Sequence, residues 1–241
     1  MDEIFSSMAV TQVRRSVFRN IKSVRVSQDL WDDLAVDGLS ADAVGALAQK
    51  LDALVKPAFY GSTKPIIDRP FEEAIWFEAV AYPFRHLQAS RFSDGSFGVW
   101  YGSSSLETTV HETAYHWFVD FLRDAQFERE DVVGERKVYE VGLSAALLDI
   151  RTLADQMPAL VDATDYSVCQ SIGAQIHREG HPGLVTRSAR HAMGENLAIF
   201  NPVVLADPRL SCQLTYRLHG KRIVVQRSGT SSWITLSTER W

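Results

Sequence analysis

The stretch TTVHETAYHW, Thr108 to Trp117, puts His111, Glu112 and His116 on one short segment. Imidazole and carboxylate at helical spacing are the ingredients of a zinc-protease helix, but that chemistry has a strict geometric condition. Two histidines share one ion when they stand at i and i+4, one above the other on the same face. His111 and His116 are five residues apart. At roughly 100° per residue they are splayed by about 140° around a helix axis. No further ligand is apparent downstream, so the spacing predicts no metal centre on this pair. The plainer reading has both histidines flanking a buried stripe, each satisfied by hydrogen bonds. Glu112 lies opposite the centre of that stripe. Its helical neighbours, Thr108, Tyr115 and Val119, are not the charged company of a solvated face. On periodicity alone two readings stay open, a surface carboxylate and a carboxylate lining a cleft.

The elements that must position these groups follow from pattern. Ser104 or Ser105 can cap a helix whose apolar stripe is Leu106, Val110, Ala114, Trp117, Phe118, Phe121 and Leu122. Before it, RFSDGSFGVWYGSS reads as a turn at SDGS followed by a β-rich segment. EEAIWFEAVAYPFRHL reads as a helix as far as Pro83. Further on, DYSVCQSIGAQIHREG is a second helix, with Thr164 as cap, Val168, Cys169, Ile172 and Ile176 as its buried face, and Gly180 at its end. PGLVT, NLAIF, CQLTYRL and RIVVQR then read as short strands, the last two joined by a hairpin at HGK.

The proline-rich stretch Lys56 to Pro70 divides the chain. Residues 1–70 read as a mostly helical extension, with one helix over SADAVGALAQKLDALV and a first core strand near 16–21, SVFRNI. Residues 71–241 read as the main domain. Long helices among short strands, without regular βαβ winding, make the class α+β.

Composition bounds the rest. The chain has 241 residues, 46% hydrophobic and 23% charged, enough for a sizeable core. A net charge of -5 argues against direct nucleic-acid binding, which rewards a basic face. Cys169 and Cys212 lie far apart and outside any CxxC pattern, so neither a structural zinc nor a disulfide framework is expected. No signal peptide or membrane span is legible, which points to the cytoplasm.

RFSDGSFGVWYGSSSLETTVHE resembles the core of the RES domain, named for its Arg, Glu and Ser. The family sets an Arg in a GRW or GRF context, a Tyr ten residues later closing a short strand, and a Glu eleven after that on a helix. Those positions are Arg91, Tyr101 and Glu112 here. A third family element, PSAR…G.N, matches EGHPGLVTRSARHAMGENLAIF through Ser188, Arg190 and Asn196. Ser90 stands where the family usually has Gly, and Arg187 where it has Pro. The match runs from about Ser90 to about Pro202, and SVFRNI, with Arg19, is similar to the strand that opens such domains.

The resemblance implies a bacterial toxin of a type II toxin–antitoxin pair, with an ADP-ribosyltransferase-like core of short mixed and antiparallel strands. It implies cleavage of the nicotinamide–ribose bond of NAD by hydrolysis, phosphorolysis or ADP-ribosyl transfer to a protein. The implied partner is a helix-turn-helix antitoxin covering the active site, in a hetero-oligomer or alongside a homo-oligomer. The residues suit that chemistry. An oxocarbenium-like ribose needs an anion beside it, a role for Glu112. A pyrophosphate needs a guanidinium fork, offered by Arg91 with help from Arg190 or Arg187. Tyr101 offers a flat surface for nicotinamide. Ser188 would bond the ribose or the amide, and Asn196 would order the loop. No Rossmann or P-loop glycine fingerprint is present, so NAD is expected as substrate, with no cofactor and no metal. The competing readings are an inactive NAD- or partner-binding module of the same family and, behind it, a metal hydrolase on His111 and His116.

Overall fold

The computed structural model describes residues 8–23, 71–129, 131–227, 232–239 and 241. Its longest strand, β3 (Val133–Asp149), organises the rest. One edge of β3 pairs antiparallel with β1 (Ala9–Lys22), from Ala9↔Asp149 to Lys22↔Arg136. Its other edge is shared. The first part carries β6 (Leu205–His219), and the end meets β4 (Gly183–Arg187) in parallel at Leu148↔Leu184. β4 pairs with β5 (Glu195–Ile199), β5 with β2 (Trp100–Ser103), and β2 returns to β1 at Phe18↔Ser103. Strands β1, β2, β5, β4 and β3 therefore close a ring. β6, β7 (Arg222–Arg227) and β8 (Ile234–Ser237) extend from β3 as an antiparallel wing.

Three apolar clusters hold this together. The first takes alternate residues of every ring strand, among them Val17, Trp100, Val141, Leu147, Val185, Leu197 and Ile199. Alternation is what a strand with one face inward requires. The Trp100 indole N–H, brought in with them, donates to the Ala79 carbonyl at 2.8 Å. The second cluster seats α4 (Ser167–Arg178) on the outer face of the ring, with Cys169, Ile172 and Ile176 against Leu184 and Ala198. The third seats α3 (Leu106–His116), and the π-helical turns Trp117–Arg123 that prolong it, on the wing. Val110, Ala114, Trp117, Phe118 and Leu122 meet Leu214, Tyr216, Ile223 and Val225 there. Each Val, Leu, Ile or Phe side chain among them contributes about 1.5–3 kcal/mol on burial.

Architecture and expectation agree in class: an α+β molecule with a mixed, mainly antiparallel eight-stranded sheet. Several elements differ in detail. The strand expected near 16–21 runs from Ala9 to Lys22. The helix expected over 40–55 falls outside the described residues. The helix expected to stop at Pro83 passes it. α1 (Phe71–Trp76) widens into a π-helical turn (Phe77–Ala81) and resumes as α2 (Tyr82–Arg85). Pro83 then falls in the first turn of α2, where a missing N–H forfeits no bond. Thr164 does not cap α4. That helix begins at Ser167, whose N–H donates to the Asp165 carboxylate at 2.9 Å.

Candidate active site

Ser105 begins α3, its hydroxyl accepting from the N–H of Thr108 at 3.1 Å. With the apolar stripe turned to the wing, Glu112 is left half-buried on another face. Two donors converge on one of its oxygens. The Ser188 hydroxyl donates to Oε1 at 2.5 Å and the Asn196 amide donates to the same atom at 2.6 Å. This sets Glu112 apart from a freely solvated carboxylate, which has no need of two buried or strand-borne donors.

Both donors are themselves held. Ser188 is buried at the end of β4, and its Oγ accepts from the N–H groups of Arg190 at 3.1 Å and His191 at 2.9 Å. The loop closes where the Ser188 N–H donates to the Gly194 carbonyl at 2.8 Å. A Cβ on Gly194 would stand 2.6 Å from the Thr108 methyl, so only glycine lets the loop lie this close to α3. Asn196 is cross-strand partner to Ser103, whose hydroxyl donates to the Asn196 carbonyl oxygen at 2.7 Å. That bond turns the amide nitrogen toward Glu112.

Two residues before Ser103, and so on the same face of β2, stands Tyr101. Its hydroxyl lies 2.9 Å from Ser90 Oγ and accepts from the Phe92 N–H at 2.9 Å. Burial pushes the phenol up to about 12, so it stays protonated. The bonds straddle Arg91 and pin its loop. α4 pins the same loop from the other side, where the Gln170 amide donates to the Ser90 carbonyl at 3.0 Å and the Ser93 carbonyl at 3.3 Å. The approach is so close that a Cβ on Gly173 would fall 1.9 Å from the Phe92 carbonyl oxygen. From this clamped loop the Arg91 guanidinium lies over the Tyr166 ring, 4.4 Å from its centroid, and donates to the Leu160 carbonyl at 3.4 Å. The Arg190 guanidinium lies 3.4 Å from the centroid of the Tyr115 ring and donates to the Ala163 carbonyl. One segment, Leu160 to Tyr166, thus touches both cations.

The structure therefore joins Glu112, Ser188 and Asn196 directly. It links Tyr101 to them through Ser103 on the same strand face, and Arg91 through Tyr101. Arg187 is turned elsewhere, in a two-pronged ion pair with Asp155 at 2.6 and 2.7 Å. His116 is exposed and pairs with Asp120 at 2.5 Å, whereas His111 lies against His191. The two histidines serve different partners, as their splay demands. Ser103, Tyr166 and Gln170 were not singled out from the sequence. Ser103 carried a signal, its place two residues after Tyr101 in a strand. The other two depend on how α4 docks.

Chemically, the arrangement offers a fixed carboxylate with one oxygen occupied, two guanidinium groups, and aromatic rings beside them. It is an α+β protein of the kind whose site grows from strand ends and a helix. The RES domain model matches residues 67–219, well over half of the chain, and the protein belongs to that family. Comparison with curated protein sequences finds no match. Among solved structures the chain is similar to a chain of the M. tuberculosis MbcT–MbcA toxin–antitoxin complex, at 12% identity, covering 89% of this chain and 90% of that one, with a TM-score of 0.46.

Proposed function

We propose that this chain is the toxin of a toxin–antitoxin pair and that it cleaves the nicotinamide–ribose bond of NAD. The observation that carries this reading is Glu112. Ser188 and Asn196 both donate to Oε1, which fixes the carboxylate's rotation. Among the described residues no hydrogen bond engages Oε2. A positioned anion is what an oxocarbenium-like ribose requires, since charge that develops in the transition state is stabilised most by groups already in place. Arg91 and Arg190 supply the cations for the pyrophosphate. In this reading phosphate oxygens replace the carbonyls of Leu160 and Ala163 that the two guanidinium groups now hold. Water, phosphate or a protein side chain on the far face of the sugar completes the reaction. NAD is consumed, and no cofactor or metal is needed. A helix-turn-helix antitoxin is the proposed partner and the cytoplasm the proposed compartment. The test is direct: the purified chain is incubated with NAD and nicotinamide is measured. Release by the wild-type chain, slowed on the order of a hundredfold or more in Glu112→Gln, supports the reading, and no release by soluble wild-type protein refutes it.

A further inference from the structure

His111 cannot share an ion with His116, but it has two other neighbours of ligating type. Glu107 precedes it by one helical turn, so carboxylate and imidazole stand on the same face of α3. His191, from the loop after Ser188, lies over His111 with ring centroids 4.4 Å apart and planes 6° from parallel. Glu107 Oε1 is 3.9 Å from His191 Nε2. Ligand atoms of all three residues lie within 4.8 Å of one another. The other nitrogen of His191, Nδ1, is engaged by the Thr108 hydroxyl at 3.0 Å. A hydrogen bond on the second ring nitrogen is the usual way a protein aims an imidazole at a metal.

We propose that Glu107, His111 and His191 form a binding site for a borderline divalent cation of the zinc class, fastening the Ser188–Gly194 loop to α3. Two imidazoles and one carboxylate suit zinc, with water completing the shell, whereas magnesium and calcium prefer oxygen throughout. The parallel rings tilt toward each other as the ion enters, because lone pairs lie in the ring planes and must converge on it. The ion serves no catalytic step. The backbone N–H of His191 donates to Ser188 Oγ, and the Ser188 hydroxyl in turn donates to Glu112. A dication here adds positive charge beside the carboxylate and tightens the loop that orients it.

The experiment uses the tag-free chain, stripped with a chelator and titrated calorimetrically with zinc chloride, then with magnesium chloride. One zinc per chain, a raised melting temperature and no saturable magnesium binding are expected. Glu107→Gln, at an exposed position, and His191→Ala should each weaken zinc binding by at least about tenfold. Melting curves taken without metal establish that both variants fold. Absence of saturable zinc binding, equal magnesium binding, or zinc binding that survives both substitutions overturns the proposal. No NAD is present in the titration, so a chain that fails to cleave NAD leaves the outcome unaffected.

Discussion

At the scale of single residues, the two donors on Glu112 make a clean test available. Glu112→Gln keeps a carbonyl oxygen where Oε1 accepts from Ser188 and Asn196 and loses the charge. The variant should fold, melt near the wild-type temperature and bind NAD, yet cleave it more slowly by on the order of a hundredfold or more. Near wild-type nicotinamide release by the folded variant would remove Glu112 from the reaction. Arg91 is tested differently. An ammonium can still sit over the Tyr166 ring but lacks the two-pronged fork, so Arg91→Lys should weaken NAD binding by about 1.5–3 kcal/mol. Unchanged affinity would take Arg91 out of the site. The histidines predict a pH effect with a definite sign. Burial, reinforced by His191, lowers His111 below its ordinary 6.5. The unfolded chain therefore takes up that proton first. The stability held by neutral His111 is complete above 6.5 and is lost as pH falls from there through the folded-state value. Melting curves across that range should fall more steeply for wild type than for His111→Gln. Because catalysis is assigned to no metal, a chelator should leave nicotinamide release intact, as should His116→Ala, whose ring is exposed and pairs with Asp120.

At the scale of elements, α4 sets where Arg91 stands. Gln170 grips the backbone on either side of it, and Gly173 lets the loop come within contact of the helix. Gly173→Ala places a methyl where the Phe92 carbonyl already is. Overpacking of this sort costs about 1–3 kcal/mol, and the loop is the side able to move. The expected result is a lower melting temperature together with a raised KM for NAD. Wild-type KM in a folded Gly173→Ala protein would show that the loop's seat on α4 does not govern the site. The elements also show what a sequence makes legible. Arg91, Tyr101 and Glu112 are legible through their likeness to the RES pattern, and the stripe of α3 announces which face it buries. β3 is legible only in part. Tyr139, Val141, Leu143, Ala145 and Leu147 alternate with small or polar residues, as a strand with one face inward should, but the charged GERK before them gives no sign that the strand already runs from Val133. The strand is held by partners on both edges, β1 from one end of the chain and β6 from the other. Ser103 is informative only once its register with Asn196 is known, and that pairing joins residues far apart in sequence. Gln170 lies on a helix whose rotation is set by Cys169, Ile172 and Ile176. Its aim at the Arg91 loop follows from docking and not from anything beside it in the chain.

At the scale of the whole molecule, the site lies on a seam between two separately packed parts. Glu112 rides on α3, which is seated on the wing, while Tyr101, Ser103, Ser188 and Asn196 belong to strands of the ring or their ends. Neither part holds the full set of groups. β3 and β1 bind the two together, and the hydrogen bonds to Glu112 cross the seam. The segment Leu160–Tyr166 lies over both cations and meets them through carbonyl oxygens and one ring. On the proposed reading, NAD displaces those carbonyls or shares the guanidinium groups with them, which couples its binding to movement of this segment. A chain of this design, made without its partner, exposes the site to the cell's NAD. Expression of the wild-type chain alone in a bacterium should stop growth and lower NAD, and co-expression of the cognate antitoxin should restore both. Glu112→Gln, expressed at the same soluble level, should do neither, since it keeps the seam bonds and loses only the charge. Normal growth and unchanged NAD with soluble wild-type protein would count against the toxin reading at every scale. Arrest by Glu112→Gln as strong as by wild type would instead separate toxicity from NAD cleavage and place it on another surface of the molecule.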